Sequence, residues 1–360
     1  MSILGLDLND AALTGVAEGE LLFREPGYAL APDGTLLFGL AALRQARRFP
    51  RRVQNRYWHD LSDEPLTASL GRAHSSADLV HEHLAEIWEH WGRDAVAFAI
   101  PGHWTPMQLG LLLGIARELD ITVAGLVDAT VAATRREYPD HELVAVEASL
   151  HETVISEMNQ HPAAEVHARH SLPGFGVDAL ERKCVEYFAQ SFLQAERFDP
   201  LHDAASEQQL HDQLYVWLEA LGRDPHWTAT LDVGGRRFHA PLDRARLAAE
   251  LNQFMQPVVQ QLRALLPANR QLAIQVGATL EPFPGPVDTL AALPGTDVFV
   301  LEPGAASDSS TSSGGCAASA PNPLRGVVFL VMLAASCAWV VHRRRRPARR
   351  ASPAAKSPAT

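Results

Sequence analysis

The sequence predicts an α/β protein of two lobes, each a mixed β-sheet with flanking helices, followed by one membrane-spanning helix. Three observations carry this reading. Residues 1–302 alternate short apolar strand-like runs with amphipathic helical stretches. The opening strand–turn–strand plan of ILGLDLNDAALTGVAEGELLF returns at ELVAVEASLHETVISEM, a repeat of layout and not of sequence. Beyond residue 302 the composition turns small and polar, then uncharged and apolar, then arginine-rich.

Residues 2–8 and 13–17 read as short strands, with 20–24 and 36–39 as further candidates. Ser75 and Asp78 form a capping box ahead of a helix over 77–91, whose apolar face holds Leu79, Val80, Leu84, Ile87, Trp88 and Trp91. DAVAFAIPG is a buried strand. Thr105 caps the next helix, and Pro106 occupies its first position. ITVAGLV is another strand and DATVAATRREY a short helix. After the restart at 141 come two close strands, AEVHARHS, and a helix around Val177–Leu193. TATLDVGGRRFHAPL reads as a hairpin about Gly234-Gly235, Asp243–Leu266 as one long amphipathic helix, and QLAIQVGATL as a last strand entering a glycine turn.

Residues 303–324 have the composition of a flexible linker. Residues 325–342 are read as a transmembrane helix. The uncharged core from Gly326 to Val341 spans about 24 Å at about 1.5 Å per residue, close to a hydrocarbon core of roughly 30 Å. The basic tail 343–360 begins with Arg343, Arg344, Arg345 and Arg346, which are expected to meet anionic lipid.

The formal charge of −11 conceals a split. Eight Lys or Arg and no acid lie from Arg325 onward, leaving 23 of the 31 basic groups against all 42 acids in residues 1–324. A body that acidic repels phosphate backbones, so no nucleic-acid partner is expected. The N-terminus shows no basic region followed by an apolar core, so no secretory signal is read there. The arginines argue for an outside body under the positive-inside rule, and the signal-free N-terminus argues for an inside one. The expectation is a single-pass protein of the inner membrane with a cytoplasmic body. Three scattered cysteines, Cys184, Cys316 and Cys337, build neither a disulfide framework nor a cysteine metal site.

Five segments, in order, resemble the nucleotide-binding domain of the seventy-kilodalton heat-shock chaperones, within the actin and hexokinase-like ATPase superfamily. ILGLDLND is similar to that family's first phosphate strand, and AVAFAIPGHWTPMQ with the following LGLLLGIARELDITVAGLVDATVAA is the closest stretch. There Asp128-Ala129-Thr130-Val131-Ala132-Ala133 stands where the family has Glu-Pro-Thr-Ala-Ala-Ala. LPGFGVDALERKCVEYF resembles the Leu-Gly-Gly-x-x-Phe-Asp segment, and AIQVGATLEP the adenosine-contacting Val-Gly-Gly-Ser turn. The resemblance implies a two-lobed actin-like fold of duplicated ribonuclease H-like sheets, five strands each, with lobes of about 1–140 and 141–302. It also implies crossing helices near 128–137 and 280–295.

Departures from the family weigh on function. Its first phosphate turn, Gly-Thr-Thr, is replaced by Asn9-Asp10-Ala11. Its second, Asp-x-Gly-Gly-Gly-Thr, is replaced by Glu147-Ala148-Ser149-Leu150-His151-Glu152. Glycines serve there because backbone N–H groups must reach phosphate oxygens without an intervening side chain. Gly277 is kept, Ala278 replaces the second glycine of its turn, and Arg56 is a loose counterpart of the catalytic lysine. The resemblance therefore implies a pseudo-ATPase. Asp7 and Glu147 are vestigial catalytic positions, and Asn9, Asp10, Ser149 and Gly277 form a vestigial nucleotide cleft. Asp10 and Glu152 are expected to oppose the phosphates.

No cofactor is expected; the alternative is ATP with magnesium. No metal site is expected either. His83, Glu86 and His90 share a helix face that is read as solvated, and HExxH spacing is absent. His167 and His170 are read as surface groups. The function expected is that of a membrane-anchored binding or scaffold protein with an unidentified protein partner. The alternatives are a divergent chaperone-like ATPase and a membrane-tethered actin-like assembly scaffold.

Overall fold

The computed structural model describes residues 2–266 and 270–311. In chain order they form β1 (Ile3–Asp7), β2 (Leu13–Ala17), β3 (Glu20–Glu25), β4 (Ala29–Leu30), β5 (Leu37–Phe38), α1 (Gly39–Leu43), β6 (Val53–Gln54), β7 (Pro65–Leu70) and β8 (Ala73–Ser75). There follow α2 (Ser76–Trp91), β9 (Ala95–Ile100), α3 (Pro106–Glu118), β10 (Val123–Asp128) and α4 (Ala129–Ala133). The second half opens with β11 (His141–Ala148), β12 (Glu152–Asn159), β13 (Glu165–Pro173), α5 (Val177–Glu196) and α6 (Ala204–Arg223). A hairpin of β14 (His226–Val233) and β15 (Arg236–Asp243) leads into α7 (Arg244–Phe254) and α8 (Gln256–Ala264). The described chain closes with β16 (Gln271–Val276), α9 (Pro286–Ala291), β17 (Thr296–Val300) and α10 (Ala305–Thr311).

Two five-stranded sheets dominate, and they share one plan. The first runs β10-β9-β1-β2-β3 and the second β17-β16-β11-β12-β13. In each, the opening three strands are antiparallel neighbours, and the two later strands add in parallel on the other side of the first. All six residues of β9 are buried, the apolar run required of an inner parallel strand covered on both faces. Reciprocal capping boxes start α2 (Ser75 with Asp78) and α3 (Thr105 with Gln108), each satisfying backbone donors that a helix start leaves open.

The helix that follows each sheet's last strand reaches toward the other sheet. After β10, α4 touches β13; after β17, α10 packs on α4, β1, β2 and β9. Ala99, Ala129, Ala132, Ala133 and Ala306 cluster at this crossing, where small side chains permit close backbone approach. The second crossing helix is thus α10 and not the expected segment at 280–295, where α9 packs against β17 and α7.

Other expectations need correction. The linker expected from 303 begins as α10, tied to the first half by an Arg135–Asp308 ion pair of 2.9 Å and by Arg135 donating to the Ala305 carbonyl. The long helix expected over 243–266 is two, because Pro257 lacks the N–H that would continue the ladder past Met255. His83 is fully buried and not on a solvated face. It stacks on Phe38, meets the Tyr57 hydroxyl at 2.6 Å, accepts from Trp58 Nε1 at 3.1 Å, and lies 3.1 Å from Glu25. His167 and His170, read as surface groups, do keep solvent-accessible side chains on β13, exposed at His167 and half-buried at His170, with both against Glu157. The membrane helix expected at 325–342 and the basic tail at 343–360 lie outside the described residues. Among those described, no helix is long and apolar enough to cross a membrane.

Candidate functional site

Each sheet presents the turn between its first two strands to the other. Asp7 ends β1 and Asn9-Asp10-Ala11 turn into β2; Glu147 lies near the end of β11 and Ser149-Leu150-His151 turn into β12. The two turns bond to each other directly. Asp10 Oδ1 accepts from the Leu150 N–H at 2.7 Å, and Asn9 Nδ2 donates to the Ala148 carbonyl at 3.2 Å. Thr279 Oγ1 donates to the same carbonyl at 2.8 Å, bringing the turn after β16 into the contact.

The second turn is held from behind by the start of α5. Val177 N–H donates to Ser149 O at 2.9 Å, and Asp178 N–H to Leu150 O at 3.0 Å. Gly176 makes this approach possible, since a Cβ there would lie 2.5 Å from both Glu152 N and Leu150 O. Ser149 spends its own groups on closing the turn. Its N–H donates to Glu152 O at 2.9 Å, and its hydroxyl donates to that oxygen at 3.1 Å.

Asp7, Asn9, Glu147 and Gly277 come together around a cavity of about 50 Å³, with Arg24 and Thr14 also in its wall. Asp10 and Ser149 are buried outside this lining. Burial raises the Asp7 carboxyl to about 6, against the Asn9 N–H and Arg24, which draw it down. Burial also lifts Glu147 to about 8, helped by Asp128 and Asp7 and opposed by the hydrogen bond from Thr130 Oγ1 at 2.8 Å. Asp10 rises to about 7, again through burial, although the Leu150 N–H and Arg56 favour its charge. Among the described residues its Oδ2 has no hydrogen-bond partner.

A magnesium triphosphate does not fit this arrangement. Small-molecule sites occupy roughly 300–1,000 Å³, several times this cavity. The Leu150 N–H, in the turn where the resemblance would put phosphate donors, is already satisfied by the Asp10 carboxyl. Arg56 is half-exposed and paired with Asp60 at 2.7 Å.

The expectation that Glu152 opposes phosphate needs correction. Its buried carboxylate faces His103, with Nδ1 at 3.4 Å from Oε1. His59 and His103, stacked with ring centroids 4.4 Å apart, were missed in the sequence because no fixed spacing links two residues on separate loops. Thr279 and Gly176 were missed as well; Gly176 carried a signal, as a glycine just before a helix start. No protein-family model matches the chain, and no curated protein matches its sequence.

Proposed function

We propose that this chain is a membrane-anchored, catalytically silent relative of the heat-shock chaperone ATPase domain, acting as a binding or scaffold protein. The repeated sheet order, with the helix after each sheet crossing toward the other, supports the two-lobed actin-like fold of that superfamily. The observation that carries the functional reading is the 2.7 Å hydrogen bond from the Leu150 N–H to Asp10. A carboxylate on one hairpin turn stands in for an oxygen of the phosphate that would otherwise join the two turns. The halves are thereby clasped without nucleotide, and no hydrolysis cycle is available to open and close them. What remains is a surface of fixed shape, tethered through residues 325–342 and presented to a protein partner.

A divergent nucleotide binder is the second reading, and one feature favours it. Gly277 lines the cavity, yet a Cβ there would meet only ordinary contacts at 3.6 Å and beyond, so packing does not demand the glycine. Calorimetric titration of the full chain with MgATP separates the two. The scaffold reading expects no heat of binding at millimolar nucleotide, whereas saturable one-to-one binding would favour the second.

A further inference from the structure

On the outer side of the second turn, His59, His103 and Glu152 each offer a ligand atom, and these atoms lie within 4.8 Å of one another. We propose that these three side chains bind a divalent transition-metal ion of the zinc class, which fastens the two halves of the molecule together. His59 comes from the loop after β6, His103 from the loop between β9 and α3, and Glu152 from the start of β12. The first two belong to the half built on the first sheet, the third to the other. An ion held by all three would pin the same turn that Asp10 grips through Leu150.

The donor set suits such an ion. Imidazole nitrogen and carboxylate oxygen bind zinc at about 2.0–2.2 Å, so tetrahedral ligand atoms sit roughly 3.3 Å apart. The His103–Glu152 pair, at 3.4 Å, already has this separation. Small side-chain rotations would bring in the third group. Among the described residues, His59 Nδ1 is buried with no hydrogen-bond partner, an arrangement that costs free energy unless something else satisfies it. His59 Nε2 lies 3.8 Å from Asp60 Oδ1, beyond hydrogen-bond distance, and Nδ1 is the ring nitrogen left for the ion.

The surroundings leave room for a fourth ligand. The three groups stand in the wall of an open cavity of about 470 Å³, lined also by Ser62, Thr105 and Gln108. A water or a small anionic group can therefore complete the tetrahedron, as in zinc sites with three protein ligands. Arg56, whose charge reaches His59, is paired with Asp60 at 2.7 Å.

The test uses the full chain, stripped with chelator and titrated with Co²⁺ alone, then with Zn²⁺. One equivalent of Co²⁺ should produce the visible absorption of tetrahedral coordination, and Zn²⁺ should displace it. His59→Gln and Glu152→Gln should each weaken binding at least about tenfold, while His90→Ala, on an exposed helix face, should leave it unchanged. Should a variant fail to fold, hydrogen exchange of the wild-type chain with and without Zn²⁺ decides the matter. Added protection should appear together in the segments holding His59, His103 and Glu152. Absence of stoichiometric Co²⁺ uptake, uptake that survives both substitutions, or protection confined elsewhere would overturn the proposal.

Discussion

Replacing Asp10 with asparagine isolates the clasp between the turns. Asparagine keeps an oxygen for the Leu150 N–H, now accepted at 2.7 Å, but cannot ionise. The Asp10 carboxyl is raised on folding from 3.8 to about 7 by burial. Its protonated form therefore stabilises the fold fully below about pH 4, and that stabilisation is lost as the pH rises toward 7. Above 7 both folded and unfolded states are ionised and no further change follows. The shift is roughly three units at about 1.4 kcal/mol each, so Asp10→Asn should gain up to about 4 kcal/mol on the wild type between pH 4 and 7, then hold that lead. Asp7 and Glu147 titrate in both proteins and drop out of the difference. Urea unfolding followed by tryptophan fluorescence, with fully buried Trp58 as a reporter, measures the gap across pH 4–8.5. A gap that does not change with pH, or a variant less stable than the wild type at pH 8, would refute the reasoning.

Gly176→Ala should destabilise by about 1–3 kcal/mol through overpacking, because its Cβ would meet backbone that cannot rotate away; thermal unfolding reads this as a lowered Tm. Leu333→Arg should cost about 2.5–3.5 kcal/mol of membrane insertion and release much of the protein on alkaline carbonate washing, whereas an unchanged membrane fraction would count against the span.

Capping chemistry was the most legible local signal. The helix starts at Ser75 and Thr105 follow from capping chemistry, and they and the strand at 13–17 stand where expected. Helix α6 was overlooked although Asp203 caps it and Leu210, Leu214, Trp217 and Leu221 mark its buried face. β17 has only five residues, none fully buried, so its strand state comes from pairing with β16 and not from its own pattern. His83 carried a legible warning. It sits in the middle of the stripe formed by Val80, Leu84 and Ile87, and helical period alone places it in the core.

The site divides along the same line. Carboxylates at the two turns, and the missing glycines, are visible in the residues themselves. Their meaning is not, because it depends on partners 140 residues apart, Asp10 and Leu150, that only the apposition of two sheets brings together. His59, His103 and Glu152 converge for the same reason, from two loops and the start of β12.

The central claim is that the Asp10–Leu150 hydrogen bond occupies the place of nucleotide. Hydrogen exchange at the Leu150 amide, measured on the wild type with and without millimolar MgATP and on Asp10→Ala, tests it most directly. The amide should be strongly protected in the wild type, equally so with and without MgATP, and should exchange faster in Asp10→Ala. Protection that changes when MgATP is added would contradict the account, since it would mean that nucleotide reaches the turn that Asp10 is held to fill.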